Sequence, residues 1–138
     1  MATSTQTRPA SDIEEDIREL IRSYDPLKQA RPFLEFYAQD GKVTLTGHVR
    51  SMQARRVFVD NVPDIPGVTG TDASHLYDDE TLRLELGKVL PRGVRVVVNY
   101  GMVTIAGKLP PGTTAEQIIE AVKGVPGVRA DRVTTEVY

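Results

Sequence analysis

The residues best able to do chemistry in this 138-residue chain are two histidines, His48 and His75. His75 follows Ser74, but a nucleophile and its base need facing side chains, and neighbouring residues of a strand point to opposite faces. His48 falls on the polar side of a strand, where we expect a surface residue. The sequence has no cysteine and no phosphate-binding G-x-x-x-x-G-K-[ST] loop. The sequence therefore predicts a protein that is not an enzyme, with no catalytic residue, metal or cofactor.

An acidic run, Asp78, Asp79 and Glu80, is the densest group of possible cation ligands. A hard cation such as K⁺ or Ca²⁺ needs several oxygen atoms that converge on it. Acidic residues also stabilise the start of a helix, and a helix pattern begins at this point. We expect the run to cap that helix, with cation binding as the less favoured alternative.

A cluster of basic residues in the first half of the chain is the more suggestive candidate for a binding surface. Residues 42–60 carry four basic side chains against the single acid Asp60. These four candidate anion-binding or lipid-binding residues are Lys42, Arg50, Arg55 and Arg56. The preceding residues 12–25 carry six acids against two arginines. This asymmetry can attract an anionic partner, but it can equally pair the two segments or one subunit with the next.

The first element that the sequence predicts is an amphipathic helix. Ser11 and Glu14 match the S-x-x-E capping box, and Pro26 disfavours helix at the residue before it. Apolar residues recur between them at spacings of three and four. They are Ile13, Ile17, Leu20, Ile21 and Tyr24.

A hairpin, a helix and a strand are predicted next. Asp40-Gly41 is a strong hairpin turn signal, because such a turn needs positive φ angles. A second helix should start at about Ser51, with Ala54, Val57, Phe58 and Val62 as its buried stripe. A short third strand should lie between residues 69 and 77.

The same order of elements returns in the second half. Leu82, Leu86 and Val89 form the stripe of a third helix, and a hairpin turns at Tyr100-Gly101. Thr113 with Glu116 predicts a capping box for a fourth helix. A last strand should contain Val133 and Val137.

The two halves of the sequence align with each other at a constant spacing. Residues 34–78 align with residues 94–138 at a shift of 60 without a gap, and eight positions are identical. The identical pairs are Gly41/Gly101, Val43/Val103, Thr44/Thr104, Gly47/Gly107, Val62/Val122, Pro66/Pro126, Gly67/Gly127 and Val68/Val128. Upstream the shift becomes 65, so the first copy has five extra residues within 26–32. Such a repeat indicates a duplicated unit.

Each copy reads helix, strand, strand, helix, strand. The sequence therefore predicts an α+β protein of two tandem αββαβ modules, each a small three-stranded mixed sheet with two helices packed on it. We place the first module at 11–77 and the second at 78–138, after a disordered tail at 1–10. A module of about 60 residues buries only about 60% of its unfolded surface, so the two modules should gain stability by packing together.

The repeat resembles the BON domain, whose pattern is a D-G-x-V-x-L-x-G-x-V hairpin, a helix and a closing G-V-x-x-V stretch. The hairpin pattern lies at residues 40–49 and 100–109, and Pro-Gly-Val occurs at 66–68 and 126–128. The structural glycines of the pattern are Gly41, Gly47, Gly67, Gly101, Gly107 and Gly127. The second copy departs from the pattern at Tyr100, where the first copy has the acidic residue.

The resemblance implies a non-enzymatic binding or scaffolding role. BON proteins usually belong to the bacterial envelope and include osmotically induced proteins. Some contact anionic phospholipid, and one cytoplasmic member binds potassium. We therefore expect protein–protein interaction, self-association or ligand-dependent regulation in a stress or envelope context. Recognition of anionic phospholipid by the basic cluster and sensing of monovalent or divalent cations are the alternatives.

Composition and charge bound the remaining possibilities. A net charge of −2 gives no support to nucleic-acid binding. No run approaches the roughly 20 apolar residues of a membrane span, and residues 1–10 lack the apolar stretch of a secretory signal. Taken as complete, the chain predicts a cytoplasmic protein. A chain whose signal peptide had been removed would look the same and would be periplasmic.

Overall fold

The structure is a computed structural model that describes residues 8–138. Most of the predicted tail at 1–10 lies outside the described residues, and the first helix already begins at Ala10. The elements in chain order are α1 (Ala10–Ser23), α2 (Asp25–Ala30), β1 (Leu34–Gln39), β2 (Lys42–Val49), α3 (Met52–Asn61), β3 (Gly70–Asp78), α4 (Asp79–Val89), β4 (Val94–Asn99), β5 (Met102–Gly107), α5 (Ala115–Lys123) and β6 (Val133–Val137). Elements α1 to β3 are the first module, and α4 to β6 are the second.

Each module contains one three-stranded mixed sheet. In the first module, β1 is antiparallel to β2, and β2 is parallel to β3. The second module repeats this with β4 antiparallel to β5 and β5 parallel to β6. The strand orders are β1-β2-β3 and β4-β5-β6, which confirms the predicted α+β fold of two duplicated modules.

The two hairpins turn through residues with positive φ angles. Asp40 and Tyr100 have φ values of 52° and 49°, and the glycine that follows each has φ near 80°. Gly47 and Gly107 end the second strands with φ values of 117° and 118°. A Cβ atom at either glycine would strike the carbonyl oxygen of the residue that enters the sheet, Phe33 or Gly93. The remaining pattern glycines, Gly67 and Gly127, also have positive φ.

Each module has its own hydrophobic core between its sheet and its helices. The predicted helix stripes are largely buried, including Ala54, Phe58 and Val62 in the first module. Leu82 and Leu86 are buried in the second module, but the prediction of Val89 was wrong, because its side chain is 43% exposed. Val89 is the last residue of α4.

The predicted capping box at Ser11 and Glu14 was wrong. Pro9 is the N-cap of α1, and no side chain among the described residues caps the helix. The Glu14 carboxylate instead accepts a hydrogen bond from the backbone N–H of Ala38 at 3.1 Å. This N–H lies on the outer edge of β1, so Glu14 ties the helix to the sheet rather than to its own start.

The capping box of the fourth helix lies one residue later than predicted at Thr113 and Glu116. The Thr114 hydroxyl accepts from the Gln117 N–H, and the Gln117 side chain accepts from the Thr114 N–H. Glutamine serves this motif as well as glutamate does. Thr113 and Glu116 fit the same sequence motif as Thr114 and Gln117, so the sequence does not distinguish the two positions.

The five extra residues of the first copy form part of a helix rather than a loop. Pro26 ends the preceding helix pattern as predicted, but it also lies in the first turn of α2, where proline is tolerated. Leu27 and Ala30 of α2 are buried in the core of the first module. The first module therefore has three helices, one more than the repeat predicts.

Candidate functional site

The two modules meet without a linker, since β3 ends at Asp78 and α4 begins at Asp79. The Asp78 carboxylate caps α4 by accepting from the Thr81 N–H at 2.7 Å. Asp79 is only 2% exposed, and its carboxylate accepts hydrogen bonds from the N–H groups of Tyr100 and Gly101 at 2.7 and 3.1 Å. The start of α4 thereby holds the second hairpin turn in position at the junction.

Tyr100 carries that hairpin turn into the first module. Its ring stacks on Phe33, with 4.2 Å between ring centroids and 11° between planes. The Arg50 guanidinium lies 5.6 Å from the Tyr100 centroid, within cation–π range. Tyr100 is 9% exposed and belongs to the core of the first module. Tyr100, which stands where the family pattern has an acidic residue, therefore makes a contact between the two modules.

His48 lies in the same junction and is half-buried. Its Nε2 atom is 2.6 Å from the Gly127 carbonyl oxygen, so Nε2–H must donate, because a carbonyl only accepts. The ring also lies against Gly101, and its centroid is 5.8 Å from that of Tyr77. The prediction of a surface residue was wrong, because the second module covers this end of β2.

The acidic run does not form a cation site. Besides the bonds of Asp78 and Asp79, the Glu80 carboxylate accepts from the Met52 N–H at 2.8 Å, at the first residue of α3. Of the three, Asp78 caps α4 as expected, whereas Asp79 holds the second hairpin turn and Glu80 caps the start of α3. Within residues 8–138, no group of three or more His, Cys, Asp or Glu side chains comes together to hold a metal.

The four basic candidates do not come together as one patch. Lys42 and Arg50 flank opposite ends of β2, about 26 Å apart along an extended strand. Arg55 is half-buried and donates to the carbonyl oxygens of Leu76 and Ala73 at 2.7 and 2.9 Å. Arg56 is exposed on α3. The guanidinium of Arg55 is therefore engaged by the edge of β3. The sequence alone does not show that Arg55 and Arg56 differ in this way.

The acidic residues of α1 pair within their own helix rather than with this basic cluster. Arg22 contacts Glu15 and Glu19 at 3.0 and 2.8 Å, and Arg18 contacts Glu15 at 3.1 Å. The hydrogen bond from Arg22, followed by that from Arg18, holds the pKa of Glu15 below its usual value. The same contacts, with Glu19 first, raise the pKa of Arg22.

Ser74 and His75 make separate contacts near the surface. The Ser74 N–H and hydroxyl both donate to Asp72, at 2.9 and 2.7 Å, and they lower the pKa of that carboxyl. The His75 Nδ1 atom is 3.2 Å from the Tyr77 hydroxyl. These bonds point Ser74 and His75 at different neighbours, so the two side chains do not form a nucleophile–base pair.

A groove of about 660 Å³ runs between the modules beside the junction. Its apolar wall includes Leu82, Val89 and Val125. Its rim is charged, with Arg55 on one side and an ion pair between Glu85 and Lys88, 2.9 Å apart, on the other. Such a surface offers apolar contact area and both signs of charge.

The fold and the junction define a duplicated α+β protein built from two small modules. The family model of the BON domain matches twice, over residues 9–74 and 78–134. The chain therefore belongs to the BON family. No curated protein matches the sequence. Within residues 8–138, none of the helices combines the length and the apolar character needed to cross a membrane.

Two of the solved structures that share this fold contain CdsD. One is the C-terminal domain of CdsD, the structural protein of the type III secretion system of Chlamydia trachomatis, with a TM-score of 0.64, 20% identity, and coverage of 95% of this chain and 66% of that one. The other is a further structure of CdsD, with a TM-score of 0.64, 20% identity, and coverage of 91% and 60%. This chain spans about two thirds or less of those chains, and the similarity is one of fold.

Proposed function

We propose that this protein is a non-enzymatic assembly module, in which two BON repeats act as one rigid body and present binding surfaces to a protein partner or to a second copy. The junction is the observation that carries this proposal. Tyr100 of the second module packs in the core of the first, and His48 of the first bonds to the second. Two modules held in a fixed relative position are suited to a structural role, in which the protein holds its binding surfaces in a defined arrangement.

The side chains best suited to chemistry support this proposal by their contacts. His48 donates to a carbonyl at the junction, and Asp79 is buried on two backbone N–H groups. A general acid or base must instead reach a substrate atom within hydrogen-bond distance. These groups serve the fold, so what the protein offers a partner is its surface.

Two further observations support an assembly role: the groove between the modules, and the similarity in fold to CdsD. An apolar patch with a charged rim resembles the anatomy of protein–protein interfaces. CdsD is described as a structural protein of a secretion system. A comparable structural role for this chain would need no catalytic group.

Light scattering on the purified chain over a range of concentrations, combined with affinity capture, tests the proposal. We expect the average molar mass to exceed the 15.2 kDa of one chain as concentration rises, or a specific partner to be retained. A strict monomer that retains no partner would count against an assembly role.

Recognition of anionic phospholipid is a second candidate, favoured by the exposure of Arg50 and Arg56 on the first module. Flotation with vesicles rich in anionic lipid tests it at low salt, where such attraction is strongest. An Arg50→Glu/Arg56→Glu variant should then lose binding. Arg95→Glu, on the exposed face of the second module, is the matched control. Binding that the double variant leaves unchanged would exclude this surface.

A further inference from the structure

The outer edges of β3 and β6 differ between the two otherwise similar modules. An edge strand exposes unpaired N–H and C=O groups, and natural proteins usually cover or blunt such edges. On β3, the Arg55 guanidinium occupies the carbonyl oxygens of Ala73 and Leu76. The position that matches Arg55 at a shift of 60 is Ala115, whose methyl group cannot donate a hydrogen bond. The edge of β6 therefore lacks this closure.

The two remaining edges are also restricted. On β1, Glu14 accepts from the outward N–H of Ala38. On β4, Val98 is 3% exposed, and the N–H of Val94 donates to Pro91. On β6, by contrast, the central residues at 134–136 are all exposed. Among the strand edges that the structure describes, β6 is thus the most open to another strand.

The hydrogen-bond phase shows which groups of β6 face outward. Tyr138, just after β6, directs both its N–H and its C=O toward the β5 side, to Gly107 and Leu109. In a parallel ladder alternate residues bond to the same neighbour. The intervening residues Val133, Thr135 and Val137 therefore direct their N–H and C=O groups away from the sheet.

We propose that β6 of one chain pairs antiparallel with β6 of a second copy, centred on Thr135, so that the two second-module sheets join into one sheet of six strands. This inference rests on the proposed assembly function and names its partner and surface. Val133 would pair with Val137 of the second copy, and Thr135 with its own counterpart. Pairs of this type exchange two bonds each, giving about six backbone hydrogen bonds.

The side chains on and beside β6, on the sheet face away from the helices, are self-complementary in this register. Arg132, in the 3-10 turn just before β6, would face Tyr138 of the second copy, which follows β6, in a cation–π pairing, and Thr134 would face Glu136. Arg132 also lies diagonal to Glu136 across the new pair, so opposite charges approach each other twice about the twofold axis. No like charges lie directly opposite. This complementarity favours a second copy over an unrelated strand.

A single engineered cysteine tests the register, because the chain has no cysteine of its own. Residues at a hydrogen-bonded antiparallel pair have Cα atoms about 5.5 Å apart, within the range for a disulfide. We expect Thr135→Cys to form a disulfide-linked dimer under mild oxidation at concentrations where the unaltered chain self-associates. Thr44→Cys, on an exposed strand position of the first module, is the matched control: it should still self-associate but form no disulfide-linked dimer.

A charge exchange provides a second test that does not depend on one variant. Arg132→Glu and Glu136→Arg each place like charges across the proposed pair, so each variant alone should dimerise more weakly by light scattering. An equimolar mixture restores both opposite-charge contacts and should recover dimerisation. Circular dichroism on each variant confirms that it is folded, and recovery in the mixture does so independently.

Equal cross-linking at residues 135 and 44, or a mixture no more dimeric than its two components, would overturn the β6 pairing. If the unaltered chain still self-associates in that case, the assembly function stands and another surface carries it. If the unaltered chain is monomeric at every concentration and retains no partner, both the pairing and the assembly function fail.

Discussion

Single residues account for the way in which the two copies have diverged. Tyr100 takes the place that Asp40 has in the first copy, and His48 takes the place of Lys108. Both turn residues have a positive φ angle, so the backbone is the same, but the tyrosine ring fills a space against Phe33. An aspartate or lysine at these positions meets solvent, whereas the tyrosine and histidine meet the other module.

The replacement Tyr100→Ala should destabilise the protein. The change removes a 9% exposed ring from a shared core, so we expect the free energy of unfolding to fall by about 2–4 kcal/mol. Urea unfolding followed by circular dichroism measures this. Tyr37→Ala removes a ring that is 57% exposed and should cost only about 0.5 kcal/mol. Equal effects of the two replacements would contradict the role of Tyr100 at the junction.

At the scale of elements, the neighbours Arg55 and Arg56 on α3 have different roles. Arg55 donates two hydrogen bonds to β3, and charged hydrogen bonds of this kind contribute about 1.5–3 kcal/mol each in favourable cases. We expect Arg55→Ala to lower the free energy of unfolding by about 1–3 kcal/mol, and Arg56→Ala to change it by about 0.5 kcal/mol or less. Thermal or urea unfolding of the pair measures the difference. A larger effect at Arg56 would show that β3 does not depend on this contact.

The charged face of α1 should make that helix sensitive to acid. Because the pKa of Glu15 is lowered in the folded state, its contribution to stability is present above its unfolded value, near the ordinary 4.5, and is lost as the pH falls through the folded value. In an Arg22→Gln variant, NMR titration of Glu15 should show its pKa shift upward toward 4.5. The same substitution at Arg83 on α4 should leave it unchanged. A Glu15 titration that is identical in the unaltered chain and the Arg22→Gln variant would contradict the pairing.

The sequence predicted the elements well because turns and apolar spacing are local. Asp40-Gly41 and Tyr100-Gly101 lie at the turns as expected, and the 60-residue shift maps the β1–β2 hairpin onto the β4–β5 hairpin. The helix α2 was missed because five inserted residues carry too short a pattern to distinguish helix from loop. The capping error at Thr113 arose because Thr114 and Gln117 fit the same motif one residue later, and the error at Ser11 arose because α1 begins at Ala10, before the serine.

The candidate site was harder to predict because it depends on how the modules meet. Nothing local in the sequence shows that His48 faces Gly127, 79 residues later. One signal was available, since Tyr100 breaks the family pattern at a turn where an aromatic side chain would otherwise be exposed. A position at which one copy of a repeat differs from the other copy and from the family pattern is a candidate for contact between the copies.

For the whole molecule, the junction should make the two modules fold as one unit. Each module has about 60–70 residues, a size at which a single core is marginal. Tyr100 contributes to the core of the first module, and Glu80 caps α3 across the boundary. Loss of one module should therefore expose and weaken the other.

Hydrogen exchange with mass spectrometry, followed through a denaturant series, tests most directly whether the two repeats act as one rigid body. Peptides from α3 report on the first module, and peptides from α5 report on the second. We predict one shared midpoint and a similar protection in both, and two separate midpoints in a His48→Ala/Tyr100→Ala variant. Separate midpoints in the unaltered chain would contradict the account, because the modules would then be independent domains joined end to end.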